Sequence, residues 1–400
     1  MDFRSRSFLL DHLRSTLGFY DPRCVDPAGG FFQCYLDDGT VFDPHTRSLV
    51  ASCRFVFNYA MAARRFGEPA YLDRVCHGLR YLREVHRNPA TGGYAWRIEH
   101  GRVVDATPHC YGLAFVLLAY ASALRAGAQE ARPWLEECFA LMESRFWLPQ
   151  QGAYISEADE RWVPTSYRGQ NDNMHACEAL IIAFEATGDA HYLARARQIA
   201  HRFTVDLCER TDGQVWEHYH ADWTPDLAYN RDAPGNQLRP WGYQTGHQTE
   251  WAKLLLILDR HGAEPWRLQR ARALFDRAVA LGWDDDYAGL IYGYDLQGQP
   301  CDQGKYFWVQ AESLAAAALL GAACAASEDT ATWSAAEGYW RWYDRIWAYA
   351  WTHFVDHRHG AWYRILHRDN RRHDNRKSYN NKADYHTMGA CHEVLNVVAV

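Results

Sequence analysis

No metal-binding or phosphate-binding signature is written locally into this 400-residue chain. There is no CxxC pair, no cysteine–histidine finger spacing and no HExxH, so local spacing offers no metal site and none is expected. Neither GxxxxGK[ST] nor GxGxxG occurs, which removes the usual phosphate cradles, and without GxSxG there is no serine elbow. Positive charge is not in excess either: 42 Lys and Arg stand against 49 Asp and Glu, a net charge of −7, and nucleic acid is not an expected partner. The longest uncharged run of small and apolar residues, Leu314 to Ala326, is too short to cross a bilayer, so no membrane partner is expected. The first residues, Met1-Asp2-Phe3-Arg4-Ser5-Arg6, do not read as a signal peptide. Eleven cysteines without pattern read as reduced, mostly buried thiols, and the expected location is cytoplasmic.

Aromatic residues, in contrast, are abundant. Seventeen Trp and 24 Tyr either fill an aromatic-rich core or supply flat faces on which sugar C–H groups pack. Some of them recur in order. A glycine followed within three residues by an aromatic appears at Gly30-Phe31, Gly93-Tyr94, Gly152-Ala153-Tyr154, Gly213-Gln214-Val215-Trp216, Gly289-Leu290-Ile291-Tyr292 and Gly360-Ala361-Trp362. Each motif alternates like a strand or hairpin within Asp-, Asn-, Gly- and Pro-rich surroundings.

Between the motifs the periodicity is that of amphipathic helices. It predicts twelve, at 6–19, 46–66, 69–86, 108–126, 131–146, 173–187, 190–206, 246–261, 265–282, 305–325, 331–353 and 385–398. One motif lies between each odd helix and the even helix after it. Six such pairs closing on themselves predict an all-α fold, a single (α/α)6 barrel over 1–400 with short β-hairpins and long loops at one rim. An open helical solenoid is the alternative, disfavoured by the unequal unit lengths and long loops. The even helices, apolar nearly all round as in Cys110 to Ala119 and Ala311 to Ala323, form the expected inner ring.

Polar residues collect at the starts of those even helices. The fourth carries Thr107-Pro108-His109-Cys110-Tyr111; the sixth Asn171-Asp172-Asn173-Met174-His175 and then Glu178; the eighth Thr245-Gly246-His247-Gln248 and then Glu250; the twelfth Asp384-Tyr385-His386. Thr107, Thr245 with Gln248, and Asp384 have the character of N-caps, which would place the histidines in the first turn at a pocket rim. His175 with Glu178, and His247 with Glu250, share an i,i+3 spacing that predicts a carboxylate beside each imidazole. A lone histidine at a helix start is commonly structural; four at one level suggest a site. Arg54, in the apolar stretch Val50 to Phe57, must be paired or must reach water, unless it faces oxygen atoms in the pocket. Trp308, Gln310 and Glu312 of the tenth helix are further candidates to line the cavity. Two long polar loops, 217–244 and 367–383, precede histidine-bearing helices and are candidates to cap it.

Taken together, Arg168-Gly169-Gln170-Asn171-Asp172-Asn173-Met174-His175, Gly246-His247-Gln248-Thr249-Glu250-Trp251, Trp308-Val309-Gln310-Ala311-Glu312 and Lys382-Ala383-Asp384-Tyr385-His386 resemble the N-acylglucosamine 2-epimerase superfamily. Arg368-Asp369-Asn370 and the run from Asp384 to Cys391 look most like its aldose–ketose isomerase branch, that of the mannose and sulfoquinovose isomerases. The resemblance implies the (α/α)6 barrel and proton transfer on a sugar without metal or cofactor. It implies His247 and His386 as the acid/base pair, Glu250 as support for His247, His175 for ring opening and Arg54 on the sugar oxygens. The further contacts expected are His109, Tyr111, Asn171, Glu178, Trp308, Gln310 and Asp384. The expected activity is isomerisation of D-mannose and D-fructose through an enediol, with sulfoquinovose isomerase or sugar 2-epimerase as the alternatives. The expected partner is a monosaccharide, and a homodimer stays open. Glycoside hydrolysis, which wants two opposed carboxylates, fits a histidine-rich rim poorly.

Overall fold

The computed structural model describes residues 1–379 and 381–398. Among them are twelve α-helices: α1 (Arg6–Tyr20), α2 (Leu49–Phe66), α3 (Pro69–Tyr81), α4 (Cys110–Arg125), α5 (Ala131–Arg145), α6 (Gln170–Thr187), α7 (Ala190–His201), α8 (Thr245–Asp259), α9 (Pro265–Gly282), α10 (Phe307–Ala325), α11 (Thr330–His353) and α12 (Tyr385–Val394). The molecule is mostly helical, as the periodicity predicts. The predicted tails of α3 and α7 are π-helical turns, Leu82–His86 and Arg202–Asp206.

The even helices contact one another in cyclic order: α2 on α4, α4 on α6, α6 on α8, α8 on α10, α10 on α12, and α12 on α2. Each is backed by an odd helix, α3 on α2, α5 on α4, α7 on α6, α9 on α8, α11 on α10 and α1 on α12. This position explains why α10, long and apolar enough to cross a membrane, is 83% buried within the protein instead.

Short strands follow the same order. Besides hairpins within units, such as Trp147–Leu148 with Ala153–Tyr154, the strand ahead of an even helix pairs antiparallel with a strand of the next unit. Thr46–Ser48 pairs with Arg97–Glu99, Arg168–Gly169 with His218–Tyr219, Tyr243–Gln244 with Gly293–Tyr294, and Lys305–Tyr306 with Ile365–Leu366. His109 makes a single bridge to Glu157, and Arg376–Ser378 pairs with Cys34–Leu36.

This pairing displaces the expected N-caps. The first amide of α2, Leu49, donates to the Trp96 carbonyl at 3.0 Å; Cys110 of α4 donates to Ser156, Gln170 of α6 to Glu217, Thr245 of α8 to Tyr292 and Phe307 of α10 to Arg364, at 2.9–3.1 Å. A helix start bonded to a neighbouring strand needs fewer side-chain acceptors. Accordingly α4 and α8 have no side-chain cap, and neither Thr107 nor Thr245 serves as one; in α12, whose first amide donates to the Lys382 carbonyl, the Asp384 side chain does not cap either. Asp384 has a left-handed backbone, φ 48°.

The fourth residues of three even helices hold the glycine–aromatic strands. Asn173, Gln248 and Gln310 each accept from a backbone N–H and donate to the carbonyl of the same residue: Tyr154, Val215 and Leu290 respectively. Gln310 is fully buried in this role and does not line the cavity, contrary to the sequence expectation. Gln310→Leu would orphan two buried backbone groups, so chemical unfolding should show a loss of about 2–4 kcal/mol. KM for sugar should change little.

Candidate active site

The functional side chains fall on two levels of the even helices. The second residues of α4, α6, α10 and α12 are Tyr111, Asn171, Trp308 and His386. The sixth residues of α2, α6, α8 and α10, one turn deeper, are Arg54, His175, Glu250 and Glu312. All of these except Glu312 line one open-mouthed cavity of about 730 Å³, joined by His247, the third residue of α8. Both long loops contribute to its lining: Leu238 and Pro240 come from the first, Tyr379, Asn381 and Lys382 from the second. Asn380, in the second loop, lies outside the described residues.

Three histidines are each held at Nδ1 by a carboxylate. His386 Nδ1 is 2.6 Å from Glu312 Oε1, His247 Nδ1 is 2.9 Å from Glu217 Oε1, and His175 Nδ1 is 3.1 Å from Glu178 Oε2. The tautomer of His386 follows from its other nitrogen. Nε2 lies 3.4 Å from Arg54 Nη2, and because a guanidinium only donates, Nε2 carries the lone pair and Nδ1 the proton. Burial, then the charge of Arg54, holds His386 well below the ordinary imidazole range, so it is a neutral base at neutral pH. Trp308 packs against both imidazoles of the expected pair, 4.9 Å from His247 and 5.8 Å from His386 between ring centroids. Gly246 makes room for it, since a Cβ there would collide with the indole.

Glu250 does not support His247 as the i,i+3 spacing suggests. The His247 ring turns outward to Glu217, while both Glu250 oxygens are buried without a hydrogen-bond partner at the cavity floor. Burial, then the charge of Glu312, pushes Glu250 well above the carboxylate range, leaving a neutral acid that can donate into the cavity. Glu178 likewise lies beneath the cavity, where it accepts from the Tyr385 hydroxyl as well as from His175. Burial alone would raise it, but Lys253, His175 and Tyr385 together bring it down to about 2.

Arg54 behaves as the polar environment of a pocket cation requires. It donates to the Asn381 carbonyl at 2.5 Å and to the Tyr111 hydroxyl at 3.3 Å, and stacks on Phe115 and Tyr385. No carboxylate within 4 Å neutralises it among the described residues, whereas Arg364 and Lys382, also lining the cavity, are paired with Asp374 and Asp384. Asn171 Oδ1 is buried and has no partner among the described residues, an acceptor left for a ligand.

Two other expected contacts stand elsewhere. His109 packs on Trp96 with its Nδ1 3.6 Å from Glu157, outside the cavity. Asp384 is spent on Tyr20, Lys382 and Thr387, and so anchors the segment that carries His386. Two donor sets, His175–Glu178–Glu250 and Glu250–Glu312–His386, have ligand atoms within 4.8 Å of one another, a spacing that suits a cation. Lys253 Nζ already stands among them, 2.5 Å from Glu312 and 3.9 Å from Glu178 and from Glu250.

The model of the N-acylglucosamine 2-epimerase (GlcNAc 2-epimerase) family matches residues 30–390. The chain belongs to that family. It is 48% identical over 404 residues to a D-mannose isomerase of Marinomonas mediterranea, covering all of this chain and 99% of the relative. A crystal structure of a D-mannose isomerase, also 48% identical and covering 99% of both chains, superposes with a TM-score of 0.95. The cellobiose 2-epimerase of Bacillus thermoamylovorans B4167, at 19% identity, covers 98% of this chain and all of its own with a TM-score of 0.84, a likeness of fold.

In this member of the family, sequence reasoning missed Glu217 as the partner of His247. The pair lies within one unit but spans thirty positions, so no local spacing reveals it. The available signal was a carboxylate in the fourth glycine–aromatic motif, Trp216-Glu217-His218, in a strand otherwise built of aromatics. Glu217→Gln should release the His247 tautomer and lower kcat by about 10–100-fold. A KM within about threefold and an unchanged melting temperature would mark the loss as chemical.

Proposed function

We propose that the protein is an aldose–ketose isomerase that interconverts D-mannose and D-fructose on an (α/α)6 barrel, without metal, by ring opening and enediol proton transfer. The observation that carries the reading is the pair of carboxylate-held imidazoles, His247 and His386, flanking Trp308 in one cavity beside an unneutralised Arg54. The extent of similarity to D-mannose isomerases supports the choice of sugar. The cyclic order of helix and strand contacts supports the barrel.

The chemistry starts with the cyclic sugar. His175 at the cavity floor and the neutral acid Glu250 exchange the O1 and ring-oxygen protons, opening the ring to the C1 aldehyde. The lone pair on His386 Nε2 then takes the C2 proton. Negative charge gathers on O1, where the Arg54 guanidinium is already fixed and needs no reorganisation. His386 returns the proton to C1 on the same face while His247 moves a proton from O2 to O1, completing the ketose. Returning a proton to C2 from the opposite face would give the epimer instead, so isomerase and epimerase differ in which imidazole delivers the last proton. The pairing of Arg364 and Lys382 with aspartates leaves no second free cation for a sulfonate among the described residues lining the cavity, which favours a neutral hexose.

Mannose converted in heavy water should yield fructose carrying deuterium at C1. Fructose labelled with deuterium at C1 should lose part of it on the return. Complete retention in both directions would overturn proton transfer. His247→Asn and His386→Asn should each lose at least about 100-fold in kcat while remaining folded; more than a tenth of the wild-type rate in either would sink the assignment. Activity should survive exhaustive chelation, and a loss restored by a divalent metal would overturn the metal-free reading.

A further inference from the structure

We infer that Lys253 is a positioning residue that sets the proton occupancy of the His386–Glu312 pair; this rests on the acid/base reading above. Lys253 lies on α8, 4% exposed, and does not line the sugar cavity. It sits one turn below, between the upper cavity and a second space at the opposite ends of the even helices, which it helps to line together with Glu178, Glu312 and Tyr385. Its Nζ donates to Glu312 Oε2 at 2.5 Å, while Glu312 Oε1 receives His386 Nδ1–H at 2.6 Å. Ammonium, carboxylate and imidazole therefore form one line ending at Nε2, the atom that faces Arg54 and the cavity.

The surroundings show what the ammonium does. Three carboxylates converge on it: Glu178 from α6, Glu250 from its own helix and Glu312 from α10. From α2 comes Arg54, from α6 His175, from α12 Tyr385 and His386, and nearer the second space Glu393 and His392. Among the described residues Lys253 is the one Lys or Arg with an ion pair to any of the three carboxylates. Burial raises Glu312 above its ordinary value, and Lys253 is the first force opposing that rise. Lys253 also lowers His386.

A charge removed here acts on the pair as a unit. Without the ammonium, the buried His386–Glu312 pair takes up a proton at higher pH. Whether that proton is drawn as imidazolium with carboxylate, or as carboxylic acid donating to Nδ1, Nε2 is protonated in both descriptions and can no longer act as a base. The sign follows: the group loses a proton to become active, so raising its apparent pKa moves the acid limb of the rate profile upward.

The test uses the full-length protein with Lys253→Met, Lys253→Gln and Lys253→Arg. Gln keeps a donor for Glu312 without charge, and Arg keeps the charge. The kcat for mannose is followed from pH 4 to 9. In parallel, ring 15N signals of histidine-labelled protein are titrated, with His386 assigned by its absence in His386→Asn. In Met and Gln variants the acid limb and the His386 titration should both move up by at least about one pH unit. That lowers kcat by up to about tenfold on the acid side of the wild-type limb, with return to within about threefold of wild type at pH 9. Lys253→Arg should keep the wild-type limb. Wild-type limbs and titration in folded Lys253→Gln would overturn the proposal, as would a loss of equal size at every pH. A wild-type protein that does not turn over mannose would defeat the functional reading alone, since the 15N titration still judges Lys253 without substrate.

Discussion

The hydrogen bond from the first amide of an even helix to the carbonyl just ahead of the paired strand or bridge of the next unit underlies the rest of the structure. One contact satisfies a helix end and joins two units, and it does so at Leu49, Cys110, Gln170, Thr245 and Phe307. The strand that supplies the carbonyl is itself gripped, in three units, by an amide side chain from the helix of its own unit. Helix starts are thereby brought to one level, and second- and sixth-position side chains of different units face the same space. The cavity is thus a product of backbone pairing, and its residues need only the right position in the helix.

That cavity has a floor of buried charge, which an apolar interior tolerates only when every charge is matched. Glu178 and Glu312 are matched by His175, Lys253 and His386, and Glu250 escapes the cost by holding its proton. Arg54 is matched by carbonyl, hydroxyl and aromatic faces rather than by a carboxylate, which keeps its charge available to a ligand. The asymmetry between a neutral carboxylic acid and a fixed cation lining one cavity is what proton exchange on sugar oxygens asks of a site.

Much of this could be read from the chain. Helical periodicity placed twelve helices, and glycine–aromatic punctuation located the turns between them, because both depend on neighbours within a few residues. His247, His386, His175, Arg54, Trp308, Tyr111, Asn171 and Glu250 do meet in one cavity. What local spacing misjudged were the directions of side chains. Glu250 lies three residues from His247 yet reaches the cavity floor, while the ring points to Glu217, thirty residues upstream. Gln310 and Asp384 looked like ligands because they are polar in an apolar setting; each is absorbed by backbone or ion-pair partners distant in sequence. His109 precedes its helix by one residue, enough to turn it out of the cavity.

The strand pair Arg376–Ser378 with Cys34–Leu36 has a consequence for how the molecule is made. Five of the six junctions between units join segments that leave the ribosome one after another. The sixth joins the first unit to the last, and Tyr20 meets Asp384 in the same region, 364 positions apart. During synthesis the growing chain therefore carries two raw edges, one at each end of an incomplete arc, each presenting unpaired strand groups and an apolar helix face. His386 arrives with the segment that covers them. His386 and the last seam are thus delivered together, and a chain stopped short of that segment has neither a complete cavity nor a protected edge.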